Sequence, residues 1–330
     1  MRWRVTIPTA HWIRRSATSG SHDNAFAVVL QPDGKIVAVG ASGGGFALAR
    51  YQPDGTLDTT FGNDGLVITD FGGDTAGSAA FAAVRQPNGK IVAAGFAIAR
   101  LGFEMFDFAL ARYHPDGTLD TTFGGDGLVT TDFGERDEAF AVALQPDGKI
   151  VSAGSTINAR LQGVGEFALT RHNRDGTPDA TFGSNGRVTT DFLGGFDVAR
   201  GVAVLPAGQI VAAGIAKNVR DDFALARYLP AGALDTTFGG DGRVTTDFAG
   251  RDDNAWAVAL QPDAKVVLAG STHIPVPSPG AVEFGLARYE SGLGPPTNKK
   301  ECKNGGWRTF TVPRRFKNQG DCIQFVNTGR

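Results

Sequence analysis

The sequence predicts an all-β protein, a five-bladed β-propeller of four-stranded antiparallel blades. Three observations predict it: one motif returns five times, each copy holds four short apolar runs, and turn residues separate those runs. The chain has 330 residues, among them 46 Gly, 23 Phe and only 2 Met, a balance that suits strands and tight turns. Its net charge of -2 gives no whole-chain attraction to nucleic acid or an anionic membrane. No apolar run approaches the roughly 20 residues that a membrane-spanning helix needs.

The motif is Gln31-Pro32-Asp33-Gly34-Lys35-Ile36-Val37, and its copies place proline at 32, 87, 146, 206 and 262. The steps are therefore 55, 59, 60 and 56 residues. Within the third copy the apolar runs are Ala139–Leu144, Lys149–Gly154, Phe167–His172 and Arg187–Phe192. Pro-Asp-Gly forms the first turn, since Pro presets φ and Gly accepts a positive φ. Runs apolar on both faces, such as Ala-Val-Ala-Leu, suit sheets packed on both sides. Stacked four-stranded sheets at this period read as propeller blades, and a sandwich would not repeat so strictly.

The fifth copy has three runs, Ala255–Leu260, Lys265–Gly270 and Phe284–Tyr289, and no fourth. Arg4-Val5-Thr6-Ile7 matches the fourth-run pattern Arg187-Val188-Thr189-Thr190. The N-terminus is thus expected to supply the last blade's outer strand and hide its open edge. The organisation that follows is a closing strand and leader over 1–22, a propeller over 23–290, a linker over 291–297 and a basic tail over 298–330.

The motif and its continuation, Phe46-Ala47-Leu48-Ala49-Arg50-Tyr51 through Thr60-Phe61-Gly62, resemble the bacterial delta-60 repeat family. That resemblance covers all five copies and implies a propeller in an extracellular or cell-surface setting, with no established activity. The chain departs from the family in showing no signal peptide, because Met1–Ala10 lacks an apolar core.

Comparison among copies separates a constant end from a variable one. The span from the third-run Arg to the Phe of Thr-Phe-Gly is 11 residues in Arg50–Phe61, Arg112–Phe123, Arg171–Phe182 and Arg227–Phe238. The second-to-third connections instead run 41–45, 96–107, 155–166, 215–222 and 271–283. Variable loops on a fixed scaffold are where binding usually resides. Acids collect at that end: Asp107, Glu166, Asp222 and Glu283 before the third run, and Asp23, Asp137, Asp197 and Asp253 before the first. They are expected to ring the channel mouth and to offer oxygens to Ca²⁺ or a sugar. The alternative is a set of solvated strand-end charges that discourage edge pairing.

Arg50, Arg112, Arg171 and Arg227 stand eight residues before Asp58, Asp120, Asp179 and Asp235. An Arg in an apolar strand must be paired if buried, so these are expected to be structural ion pairs. Arg200 replaces the aromatic found at Phe26, Phe81, Phe140 and Trp256, and is a candidate for holding an anionic group in the channel.

Catalytic signatures are absent from the sequence. The five histidines form no metal-binding pair, and His172 replaces the strand-end Tyr51, Tyr113 and Tyr228. No phosphate loop or dinucleotide fingerprint is present, so no catalytic residue and no cofactor is assigned. The tail, residues 291–330, carries eight Lys/Arg against two acids, a net +6 that leaves -8 for the rest. Its pattern around Cys302 and Cys322 resembles a short C-terminal element of secreted bacterial proteins. A disulfide between them fits, since so short a segment needs a staple and an oxidising compartment permits one. The reading overall is a non-catalytic extracytoplasmic monomer that binds a glycan or protein on its variable face. A polysaccharide hydrolase or lyase using paired carboxylates and a surface spacer are the alternatives.

Overall fold

A computed structural model of the chain describes residues 23–72, 77–100, 105–134, 136–158, 164–192, 194–217, 219–248, 250–273 and 282–290. The expected closing strand at Arg4–Ile7, the linker 291–297, Cys302 and Cys322 lie outside these residues. Among the described residues every named element is a strand.

The first repeat is β1 (Asn24–Leu30), β2 (Ile36–Ser42), β3 (Gly45–Tyr51) and β4 (Leu66–Thr69). The second is β5 (Ser78–Arg85), β6 (Ile91–Arg100), β7 (Met105–Tyr113) and β8 (Leu128–Thr131). The third is β9 (Arg136–Leu144), β10 (Ile150–Asn158), β11 (Val164–His172) and β12 (Arg187–Thr190). The fourth is β13 (Val198–Val204), β14 (Ile210–Lys217), β15 (Asp221–Tyr228) and β16 (Arg243–Thr246). The last has three described strands, β17 (Asp253–Leu260), β18 (Val266–His273) and β19 (Val282–Tyr289). Each repeat is an antiparallel meander, and a single parallel bridge from Phe106 to Arg136 joins the second and third into one sheet. The first strands β1, β5, β9, β13 and β17 lie side by side, which makes them the innermost layer.

The strands run further toward the variable end than the sequence suggested. In the third repeat β9 begins at Arg136, β10 continues to Asn158 and β11 starts at Val164. Residues 155–158 and 164–166, expected within a 12-residue loop, therefore extend the hairpin. Backbone pairing continues through Thr156↔Glu166 and Ile157↔Gly165, because nothing in that polar stretch forbids it.

One glycine per repeat shapes the inner layer. Strand one bulges, with register shifts such as that between Ala25 and Ala27, and pushes a carbonyl toward strand two. A Cβ on Gly40 would sit 1.8 Å from the Asn24 carbonyl oxygen, so only glycine fits there.

Packing between repeats follows one rule. The forward face of one sheet carries Val, Phe and Leu side chains, and the rear face of the next receives them with alanines and larger apolar residues. Val37, Val39, Phe46 and Leu48 meet Ile91, Ala93, Ala109, Ala111 and Tyr113 at the first junction. The fourth junction repeats it, with Val211, Phe223 and Leu225 against Ala255, Val266 and Leu268. Each fully buried Phe or Leu contributes roughly 1.5–3 kcal/mol. Polar contacts pin the first and third junctions: Tyr113 Oη donates to Thr69 Oγ1 at 2.9 Å and Tyr228 Oη to Thr190 Oγ1 at 2.9 Å. At the second junction His172 takes the tyrosine's place, 3.3 Å from Thr131 Oγ1. Burial pushes that imidazole down to about 4, so it is neutral near pH 7.

The constant outer end is a latch. Arg112 Nε donates to Asp120 Oδ2 at 2.5 Å, and its guanidinium stacks on Phe123 with 4.5 Å to the ring centroid. Lys90 Nζ reaches the same oxygen at 2.7 Å. A further guanidinium nitrogen of Arg112 donates to the Arg174 carbonyl in the next repeat. The Nε–Oδ2 separations in the pairs Arg50–Asp58, Arg171–Asp179 and Arg227–Asp235 are 2.7, 2.6 and 2.9 Å. Burial alone would raise the Asp58, Asp120 and Asp179 carboxyls. The hydrogen bonds from Thr, Lys and Arg outweigh it and hold them well below the usual carboxylate range.

The two terminal faces are uncovered among the described residues. Phe284 and Leu286 are 98% and 67% exposed, whereas their equivalents Phe46 and Leu48 are 0% and 1%. On the opposite face, Val28 and Leu30 of β1 are likewise exposed.

Candidate functional site: carboxylates at the repeat junctions

The sequence pointed to a shared acidic ring at the channel mouth. The structure instead groups the acids by junction. Asp107 is the third residue of β7, near the variable end, Asp132 follows β8, and Asp137 lies in β9 of the next repeat. One carboxylate oxygen from each lies within 4.8 Å of the others. Asp222, Asp247 and Asp253 form the same arrangement between the fourth and fifth repeats. Each group is therefore built from two neighbouring repeats, with one exposed, one half-buried and one fully buried carboxylate.

Crowding raises the proton affinity of these groups. Burial first, and then the Asp132 charge, pushes the Asp107 carboxyl up to about 6. Asp137 also rises to about 6, through burial and the Asp132 and Asp107 charges. Thr156 and the Phe133 N–H act against that rise. Asp222 is raised by burial and by the charges of Asp247, Asp253, Asp221 and Asp252.

The other predicted acids are placed differently. Asp197 is buried and raised to about 6 by burial, with Asp191 and Glu166 adding to it. Both of its oxygens are engaged: Oδ2 accepts from Phe192 N at 2.8 Å and Oδ1 from Lys217 N at 3.1 Å. Glu283 is exposed on the uncovered last sheet, and Asp23 is exposed just before β1. Asp132 and Asp247 were missed by the sequence reading. Their signal is the Asp of Thr-Asp-Phe that closes each fourth strand, at Asp70, Asp132, Asp191 and Asp247.

Arg200 lies on β13, in the innermost layer. Its guanidinium lies 4.2 Å from the Phe140 ring centroid and 5.5 Å from Trp256. Phe26, Phe81 and Phe140 continue the row, with centroids 5.2 Å apart at each step. A planar cation between two rings explains how Arg replaces an aromatic there. Desolvation lowers its proton affinity, opposed by the Glu138 charge.

Meandering four-stranded sheets around an inner layer, with their chemistry at the inter-sheet junctions, define the propeller class. Four segments, 31–61, 86–123, 145–182 and 206–238, match the family model described as a domain of unknown function (DUF5122) beta-propeller. The chain is a protein of β-propeller repeats. No curated protein matches it. Among solved structures, a protein of unknown function from Dyadobacter fermentans is similar at 14% identity and a TM-score of 0.49, over 86% of this chain and 80% of that one. A polysaccharide lyase of family PL25, an ulvan lyase, is similar at 12% identity and 0.48, over 80% and 66%. An exo-1,5-alpha-L-arabinanase from a bovine ruminal metagenomic library is similar at 12% identity and 0.43, over 83% and 96%. Likeness at this level says nothing of activity.

Proposed function

We propose that this chain is a non-catalytic, extracytoplasmic binding propeller of delta-60 type repeats, whose variable end receives an oxygen-rich ligand, a glycan or a protein partner. The observation that carries this reading is the convergence of carboxylates at two junctions on the end where the hairpins differ. Hydroxyl-rich ligands and hard cations both suit such oxygens. The test is a glycan screen by calorimetry on the full chain, with product analysis of every hit. Binding without cleavage is the expected result, and no binding to any glycan or protein probe counts against the reading.

We further propose that the ring closes with five blades. Phe284 and Leu286 are uncovered where their equivalents Phe46 and Leu48 are buried, and the exposed Val28 and Leu30 of β1 offer a rear face to cover them. Residues 4–7 would add the fourth strand beside β19 and join the two ends. Deleting residues 1–8 should then lower stability or solubility, and unchanged melting would end this idea.

An enzyme remains the second reading because carboxyls raised to about 6, as at Asp107 and Asp137, can act as general acids. Against it, each group joins three carboxylates, not a pair. The arrangement also occurs twice, whereas one reaction needs one pair. Glycan cleavage abolished by Asp107→Asn would favour the enzyme.

A further inference from the structure

Four junctions between successive repeats are described, and they differ in one informative way. At the junction of the fourth and fifth repeats, Asp253 is 0% exposed and its Oδ2 accepts from Phe248 N at 2.8 Å. Its Oδ1 has no hydrogen-bond partner. Thr272, opposite Asp253 in the β17–β18 register and 6% exposed, has an unpartnered Oγ1 as well. Two buried oxygens left unsatisfied beside converging carboxylates are costly, and such atoms call for a partner. At the junction of the second and third repeats the pattern recurs. Asp137 is 0% exposed, Oδ2 accepts from Phe133 N at 2.6 Å, and Oδ1 has no well-aligned partner although Thr156 lies near.

The remaining two junctions act as internal controls. Between the third and fourth repeats, the Lys217 N–H satisfies Asp197 Oδ1. There Glu166, Asp191 and Asp197 do not converge as the other two triads do. Between the first and second repeats, Gly45 and Ser78 stand in the acidic positions, which leaves Asp70 as the one acid of the set. Among the described residues, orphaned buried carboxylate oxygens thus occur at the two junctions where three carboxylates meet.

We propose that Asp222, Asp247 and Asp253 hold one Ca²⁺ and that Asp107, Asp132 and Asp137 hold a second, each ion clipping two adjacent repeats together. The donors are all oxygen, which excludes the Cys and His sets favoured by zinc. Ca²⁺ takes 6–8 oxygens at 2.3–2.6 Å in flexible geometry. Three carboxylates with one or more bidentate, and water, meet that number, with Thr272 Oγ1 added at the Asp222–Asp247–Asp253 site. A bound dication relieves the mutual repulsion around Asp222, where Asp221 and Asp252 add further negative charge. The inference rests on reading the variable end as a surface for oxygen ligands. It needs no glycan, so a failed glycan screen and an absent cation are distinguishable results.

The test is calorimetric titration of the chelator-treated full chain with CaCl₂. Wild type should bind two ions with Kd values below about 1 mM. Asp247→Asn and Asp132→Asn should each bind one, and the double variant none. Both positions are exposed, and Asn keeps the oxygen that accepts from Gly250 N or Gly134 N, so folding is preserved. Asp191→Asn, at the control junction, should still bind two. Absence of binding in wild type, or a stoichiometry that persists in the double variant, overturns the proposal. So does loss of an ion in Asp191→Asn.

Discussion

Replacing Asp137 by Asn should stabilise the cation-free protein above pH 6 and destabilise it once Ca²⁺ is supplied. Asp137 is 0% exposed, and its carboxyl is raised to about 6 from an ordinary 3.8. Ionising it in the folded state therefore costs up to about 3 kcal/mol at pH 7.5, less whatever the coupled Asp107 and Asp132 absorb by sharing protons. Because the folded value lies above the unfolded one, this penalty is absent below pH 4 and fully present above pH 6. Asn keeps the acceptor for the Phe133 N–H and sets an amide beside the Asp107 and Asp132 carboxylates. In chelator at pH 7.5 the variant should melt higher, at about 2–4 °C per kcal/mol gained, and the gain should vanish toward pH 4. At Ca²⁺ about 1,000-fold above Kd the order reverses, since wild type gains about 4.1 kcal/mol that the variant forgoes. Differential scanning calorimetry across pH 4–8, with and without Ca²⁺, reads both effects. A variant less stable than wild type in chelator at pH 7.5 would refute the reasoning about crowded carboxylates.

The latch, the glycine turns and the ring closure give three further expectations. Asp120→Ala should cost about 3–5 kcal/mol in urea unfolding, because it leaves the buried Arg112 without its carboxylate; a loss under 1 kcal/mol would deny the latch. Gly117→Ala should cost roughly 2–4 kcal/mol, since φ is +91° and the new Cβ would meet Gly62 N at 2.8 Å. Gly125→Ala, at φ +108° with no atom within 4 Å, should lose only the backbone strain of roughly 1–2 kcal/mol, and equal losses at both sites would remove the packing argument. Leu286→Glu should destabilise by about 2 kcal/mol or more if the terminal faces meet. A change within about 0.5 kcal/mol would show that Leu286 stays in water.

Legibility in the sequence followed how local each feature is. The turn Gln31–Lys35 and the Arg-to-Asp spacing of eight depend on residues close in the chain, so repetition exposed both. The stacking of Arg112 on Phe123 gives the physical reason for the Thr-Phe-Gly motif, which sequence alone registered without explaining. Strand ends at the variable face were read too short, because a polar stretch such as Ser155–Asn158 carries no apolar pattern yet pairs by backbone alone. The junction triads were half visible. Asp107 and Asp137 were picked out, but which acids meet depends on how one sheet sits against the next, and Asp132 looked like an ordinary strand end. Arg200 was noticed as a break in symmetry, and the flanking rings of Phe140 and Trp256 show why the break is tolerated.

The most direct measurement is a crystal structure of the full chain grown in millimolar Ca²⁺, with anomalous data to locate the ion. The account predicts one Ca²⁺ among Asp107, Asp132 and Asp137 and one among Asp222, Asp247 and Asp253, with oxygens at about 2.3–2.6 Å. It predicts none beside Asp197, whose oxygens already accept from Phe192 N and Lys217 N. Water alone at both triads, or an ion at the Asp197 junction, would contradict it.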